Sequence, residues 1–90
     1  MFTGIIESLG IIEEIEKEND NLNITLFSKI TTELKIDQSV AHNGICLTVV
    51  KINNDLYTVT AIKETIDKTS IGKWKKGDLI NLDRAMKLGD

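Results

Sequence analysis

The chain has 90 residues, with 11 Lys+Arg against 14 Asp+Glu and a net charge of −3. This is the size and composition of one globular domain, and its overall field does not draw it to a phosphate backbone, so nucleic acid is not expected as a partner. One Cys and one His exclude an intrachain disulfide framework and a Cys/His zinc site. No apolar run reaches the length of a membrane span, and no basic-then-apolar leader opens the chain. The expectation is a cytoplasmic protein with a reduced thiol and no membrane contact. Only Phe2, Phe27, Tyr57 and Trp74 are aromatic, so Ile, Leu and Val must fill a thin core.

In chain order, residues 5–18 are ambiguous. Ile5, Leu9 and Ile12 fall at helical spacing, and the Glu-rich stretch that follows is full of helix formers. A strand with Ile11 and Ile15 inward and Glu14 and Glu16 outward is the alternative. Glu18-Asn19-Asp20-Asn21 marks a turn. Leu22, Ile24 and Leu26 then alternate with Asn23 and Thr25, the pattern of a half-buried strand. A short helical turn is expected over 33–38. The stretches 45–52 and 56–62 are rich in β-branched residues, and a three-residue Asn53-Asn54-Asp55 loop joins them in the clearest hairpin of the chain. Residues 64–70 suit a helix of one or two turns ended by Gly72. Gly77-Asp78 turns into a last strand over 79–83. Five or six antiparallel strands with one or two short helices most often close into a small barrel, which removes exposed edges.

Few residues carry chemistry by motif. No phosphate loop, triad or metal-ligand spacing is present. Cys46 and Thr48, two apart on a strand, share one face. They read either as a polar patch at a barrel mouth, holding a ligand, or as a buried Cys beside an ordinary strand Thr. His42 is read as a surface or turn-packing residue. Lys63-Glu64-Thr65 could meet the hydroxyls of a polyol, or Thr65 could serve as a capping residue. Glu13, Glu14, Glu16 and Glu18 read as a solvated face. Lys73, Lys75 and Lys76 with Trp74 are too few for a single-strand platform, with Asp78 and Asp83 close behind.

Four blocks resemble riboflavin synthase, in order along the chain. They are Met1-Phe2-Thr3-Gly4-Ile5-Ile6; Ser39-Val40-Ala41-His42-Asn43-Gly44-Ile45-Cys46-Leu47-Thr48-Val49; Lys63-Glu64-Thr65 with Thr69, Ile71 and Gly72; and Gly77-Asp78-Leu79-Ile80-Asn81-Leu82-Asp83-Arg84-Ala85-Met86-Lys87. The resemblance implies an all-β fold, a six-stranded antiparallel Greek-key barrel, with 5–15 as strand against its propensity. It also implies an enzyme that passes a four-carbon unit between two molecules of 6,7-dimethyl-8-ribityllumazine, with no cofactor or metal.

In that family two such barrels stand in tandem, followed by a helix that supports a homotrimer, and each barrel binds one lumazine. The match here is to the N-terminal barrel alone, over residues 1–90. The expectation is therefore an isolated N-terminal domain that forms a homodimer and binds ligand with little turnover. The alternative is a non-catalytic lumazine- or flavin-carrying relative. Carried over by position, the substrate-binding residues are Gly4, Ile5, Ile6, Cys46, Leu47, Thr48, Thr60, Ala61, Ile62, Lys63, Glu64 and Thr65. Glu64 faces the ribityl hydroxyls. As catalytic residues the resemblance implies Cys46, beside the reacting ring but with no nucleophilic role implied, and Ser39, near the site in a supporting role.

Overall fold

The structure, a computed structural model, describes residues 8–84. Six strands close into one antiparallel barrel: β1 (Ser8–Glu18), β2 (Asn21–Phe27), β3 (Ser39–His42), β4 (Ile45–Asn53), β5 (Leu56–Ala61) and β6 (Leu79–Arg84). Around the barrel the order is β1-β2-β5-β4-β3-β6. β1 and β2 form a hairpin, β3-β4-β5 form a meander that returns to β2, and β6 closes the gap between β3 and β1. This Greek-key closure leaves no long sheet edge free to pair with other chains.

β1 resolves the ambiguity in the sequence. Its helix formers are overridden because both of its edges are paired, to β2 on one side and to β6 on the other. The facing differs from the expected one. Ile12 is buried and Ile11 is partly exposed, although Ile15 does pack against the core. The cause is a β-bulge between Ile12 and Glu14. One extra residue shifts the alternation, so residues on either side of it no longer keep the same parity.

Gly10, also on the inner face, leaves room for Leu82 and Leu26. A Cβ there would lie 3.1 Å from Leu82 Cδ1 and 3.2 Å from Leu26 Cδ2.

The turns are built from residues that tolerate positive φ. Asn19 (φ 56°) turns β1 into β2, Asn43 (52°) with Gly44 (85°) turns β3 into β4, and Asn54 (56°) turns β4 into β5. The last of these corrects the expected loop: Asn53 still pairs with Leu56, so the connection is two residues, Asn54-Asp55, rather than three.

The helical turn expected over 33–38 lies earlier, as a 3₁₀ turn at Lys29–Glu33. Ser28 starts it, accepting a hydrogen bond at Oγ from the Ile30 N–H (3.3 Å), and Asp37 has φ 72°, which a helix does not admit. The short helix is where it was expected, as α1 (Lys63–Lys68). It ends at Thr69 rather than at Gly72: the Thr69 hydroxyl folds back to the Thr65 carbonyl (2.7 Å), and Gly72 belongs to a following 3₁₀ turn (Ile71–Lys73).

The interior is filled by Ile12, Ile24, Leu26, Val40, Leu47, Val49, Tyr57, Val59, Ile71, Ile80 and Leu82, and among the described residues Tyr57 is the only Phe, Tyr or Trp wholly inside. His42 corrects the sequence reading: it is completely buried. Its Nδ1–H donates to the Val40 carbonyl (2.9 Å), which leaves Nε2 to accept from the Tyr57 hydroxyl (2.8 Å). That arrangement fixes the neutral tautomer, because both ring nitrogens are used and only one carries a proton. Burial lowers the His42 pKa from 6.5 to about 4, with the Val40 hydrogen bond opposing in part. Burial likewise raises that of Tyr57. The pair ties β3 to β5 through the middle of the core without leaving a polar atom unsatisfied.

Among the described residues no helix is long and apolar enough to cross a membrane, and no group of three or more acidic, His or Cys side chains is placed to hold a metal ion.

Candidate ligand face on the β3-β4-β5 wall

The pleat of β4 sends Leu47 and Val49 into the core and Cys46 and Thr48 outward. The thiol and hydroxyl therefore do share one face, but that face is the outer wall rather than the mouth of the barrel. Cys46 is exposed. Strand register then gathers residues that are far apart in sequence. Ser39 on β3 sits opposite Thr48, Thr48 opposite Thr60 on β5, and Thr60 opposite Asn23 on β2. The result is one polar row across four strands. Thr60 donates its hydroxyl hydrogen to Asn23 Oδ1 (2.8 Å), which holds the row in place.

One pleat further along, Cys46 sits opposite Ala41. Ile62 follows the last residue of β5, two positions past the Thr48–Thr60 pair, and is 53% exposed, an apolar surface. There the chain leaves β5 and enters α1, whose first turn carries Lys63, Glu64 and Thr65. No side chain caps that first turn, so its N–H groups are not taken up by a capping oxygen. Lys63 pairs with Asp67 (2.9 Å) and Lys68 with Glu64 (2.7 Å). Both are exposed i,i+4 pairs, worth little to stability and readily exchanged for other partners.

Of the residues named from sequence, Ser39, Cys46, Thr48, Thr60, Ile62, Lys63, Glu64 and Thr65 thus lie on or beside one wall. Leu47 and Ala61 point into the core and can offer only backbone atoms. Gly4, Ile5 and Ile6 lie outside the described residues.

Asn23, Thr25 and Thr58 were not singled out in the sequence. The Thr25 and Thr58 hydroxyls are 2.9 Å apart. With Glu14, Glu16, Asn23 and Lys51 they line a polar groove of about 190 Å³ that continues the row beyond Thr60. Their only signal in the sequence is the polar half of an alternating strand, which every half-buried strand has.

The face combines a flat apolar element, a thiol, a row of hydroxyls and a carboxylate. Such a wall suits a planar ligand with a hydroxylated tail, so the fold and face define a small-molecule-binding Greek-key barrel. The chain belongs to the lumazine-binding domain family, whose model matches residues 3–85. It is 41% identical over 87 residues to riboflavin synthase of Bacillus amyloliquefaciens and 42% identical over 87 residues to that of Bacillus subtilis. In both cases the match covers 96% of this chain and 40% of the relative. The chain therefore spans well under half the length of these relatives. Among solved structures, LumP complexed with 6,7-dimethyl-8-(1'-D-ribityl) lumazine matches all of this chain and 51% of its own, with a TM-score of 0.89 at 28% identity.

Proposed function

We propose that this barrel binds one molecule of 6,7-dimethyl-8-ribityllumazine or riboflavin on the outer β3-β4-β5 wall, as the N-terminal lumazine-binding domain of a riboflavin synthase. The observation that carries the reading is the register that brings Ser39, Thr48 and Thr60 into one row, with Cys46 and Ile62 beside it. Two stretches far apart in the chain, residues 39–49 and 60–65, meet there, and both are matched to the family by position. The relatives' name supplies the reaction. Their identity, 41–42% against 28% for LumP, favours a synthase over a non-catalytic carrier.

The chemistry follows from the groups available. The ring lies against Ile62 and Cys46, the Thr48 hydroxyl meets a ring heteroatom, and Glu64 exchanges its Lys68 partner for ribityl hydroxyls. Leu47 and Ala61 contribute backbone contacts, as do Gly4, Ile5 and Ile6. Lys63 and Thr65 border the tail. Cys46 and Ser39 stand beside the reacting ring. The full reaction needs two lumazines held against each other, and mutual orientation of that kind is worth up to ~7–11 kcal/mol. One barrel holds only one of them. The domain therefore binds with little turnover, pairs with a second copy, and belongs in the longer synthase to a homotrimer in the cytoplasm.

The test is a fluorescence titration with riboflavin. Saturable quenching at one ligand per chain is expected, weakened roughly 5- to 10-fold in Thr48→Val and in Glu64→Ala, as for the loss of one hydrogen bond of about 1 kcal/mol. A folded wild-type chain that leaves riboflavin fluorescence unchanged would overturn the reading. An unchanged rate for Cys46→Ser in the full-length relative would remove that thiol from the reaction.

A further inference from the structure

The tip of the β3-β4 hairpin is fastened to β6 by a side chain. At four residues β3 is the shortest strand of the barrel. Along the described residues it pairs with β6 through Val40–Arg84, Ala41–Asp83 and His42–Leu82. Next in that register come Asn43 and Asn81, but Asn43 already belongs to the turn, with φ 52°. Its N–H still donates to the Asn81 carbonyl (2.8 Å). The return bond goes to its side chain: the Asn81 N–H donates to Asn43 Oδ1 (2.7 Å). In an antiparallel ladder the two residues of a hydrogen-bonded pair exchange both N–H···O bonds. Here the side-chain amide oxygen stands in for a main-chain carbonyl. Asn suits both tasks, because it tolerates positive φ and carries a carbonyl of its own. Asn54 makes the contrast. It has the same turn backbone (φ 56°), but its side-chain amide donates to its neighbour Asn53 (3.3 Å) and not across the barrel.

We infer that Asn43 is a positioning residue for the ligand face: its side-chain carbonyl holds the β3-β4 turn against β6, so that Cys46 and Thr48 keep their place. This rests on the reading of the β3-β4-β5 wall proposed above. The neighbours of the clamp are the reason. Past the turn, His42 pairs with Ile45, then Ala41 with Cys46, and Ser39 with Thr48 two pairs further on. In the closed order β3 stands between β6 and β4. The strand that carries Cys46 and Thr48 is therefore joined to β6 only by way of β3. Strand ends open before strand middles, and at this end the clamp is the outermost bond of the β3-β6 seam. Without the Asn43 oxygen, the Asn81 N–H has no acceptor in the ladder. The turn end of β3 then parts from β6 first, and Cys46 is the first outward residue it carries along. Asn43 acts through the main chain and not by touching the ligand. The coupling is reciprocal: if the closed clamp favours binding, bound ligand favours the closed clamp.

Riboflavin titration, with hydrogen exchange read at the Asn81 amide, tests this on the wild-type chain and three variants. Asn43→Gly keeps the positive φ and removes the oxygen. Asn43→Asp keeps both. Asn54→Gly makes the same change in the β4-β5 turn and is the control. In Asn43→Gly the expected result is roughly fivefold weaker riboflavin binding and roughly fivefold faster Asn81 exchange, as for the loss of one hydrogen bond. Asn43→Asp and Asn54→Gly should stay within about twofold of wild type in both, because neither removes that bond. In the wild type, saturating riboflavin should slow Asn81 exchange, a reading that needs no variant to fold. A merely structural role would lower the denaturation midpoint of Asn43→Gly and leave the affinity of the folded chain unchanged, and that result would overturn the inference. So would Asn43→Asp binding as weakly as Asn43→Gly, an equal loss in Asn54→Gly, or Asn81 exchange indifferent to riboflavin. Each of these leaves the ligand face standing. A folded wild type that binds no riboflavin removes the ligand face itself, and the positioning role with it.

Discussion

The β3-β4-β5 wall and the β2-β1-β6 wall are built alike inside and differently outside. Inward, both present aliphatic side chains at alternate positions, and the first adds the buried His42–Tyr57 pair. Outward, the first carries Ser39, Cys46, Thr48 and Thr60, and the second carries Leu9, Ile11, Phe27 and Leu79. The interior of a domain this small is filled by packing side chains, so the two walls differ mainly in what they present outward. The two outer walls thus differ in character, one polar and one apolar.

The sharpest way to break this comparison is to damage the shared interior. Leu82→Ala removes a wholly buried side chain that packs over Gly10. It should cost ~2–5 kcal/mol, seen as a fall in denaturation midpoint, with both outer walls lost together. If the riboflavin affinity of the folded fraction changed as well, the interior and the ligand face would not be separable.

Acid is the next lever. His42 is held neutral, with its pKa lowered from 6.5 to about 4. The unfolded chain therefore takes up the proton at higher pH than the folded one, and stability falls as pH drops from about 6.5 to about 4. The loss is on the order of 3 kcal/mol across that window. His42→Gln should flatten this slope in urea titrations at several pH values. A wild-type stability that did not change between pH 6.5 and 4 would contradict the buried neutral imidazole.

Tyr57→Phe leaves Nε2 of His42 buried without a donor and should cost about 1–3 kcal/mol, while riboflavin affinity stays as it was. Gly10→Ala forces Leu82 and Leu26 to give by a few tenths of an ångström and should cost about 1 kcal/mol, measured by thermal melting. The smallest effect is expected on the outside: Glu64→Ala removes an exposed pair with Lys68 and should change stability by under ~0.5 kcal/mol. That makes it a clean probe of the ligand face, since any loss of affinity would then be local.

The hairpins, the last strand and the short helix were legible in the sequence because their signals are local. Alternation in 22–26, β-branched runs around Asn54, and the Gly77-Asp78 turn each act within a few residues. The proposed ligand face rests, at the level of sequence, on resemblance to a family. Cys46, Thr48 and Glu64 carry no motif of their own, and Asn23 and Thr58 carry less still. What tertiary structure alone decided was pairing. The bulge after Ile12 set which of Ile11 and Ile12 faces inward, because parity across a bulge depends on the partner strand. The barrel's closure put His42 against Tyr57, turning what reads as a turn residue into a buried hydrogen-bonded core group. The same closure set β1 opposite β4. Local sequence fixes what each strand presents on its two faces, but which strands adjoin, and so which side chains form a surface, depends on contacts across the whole chain.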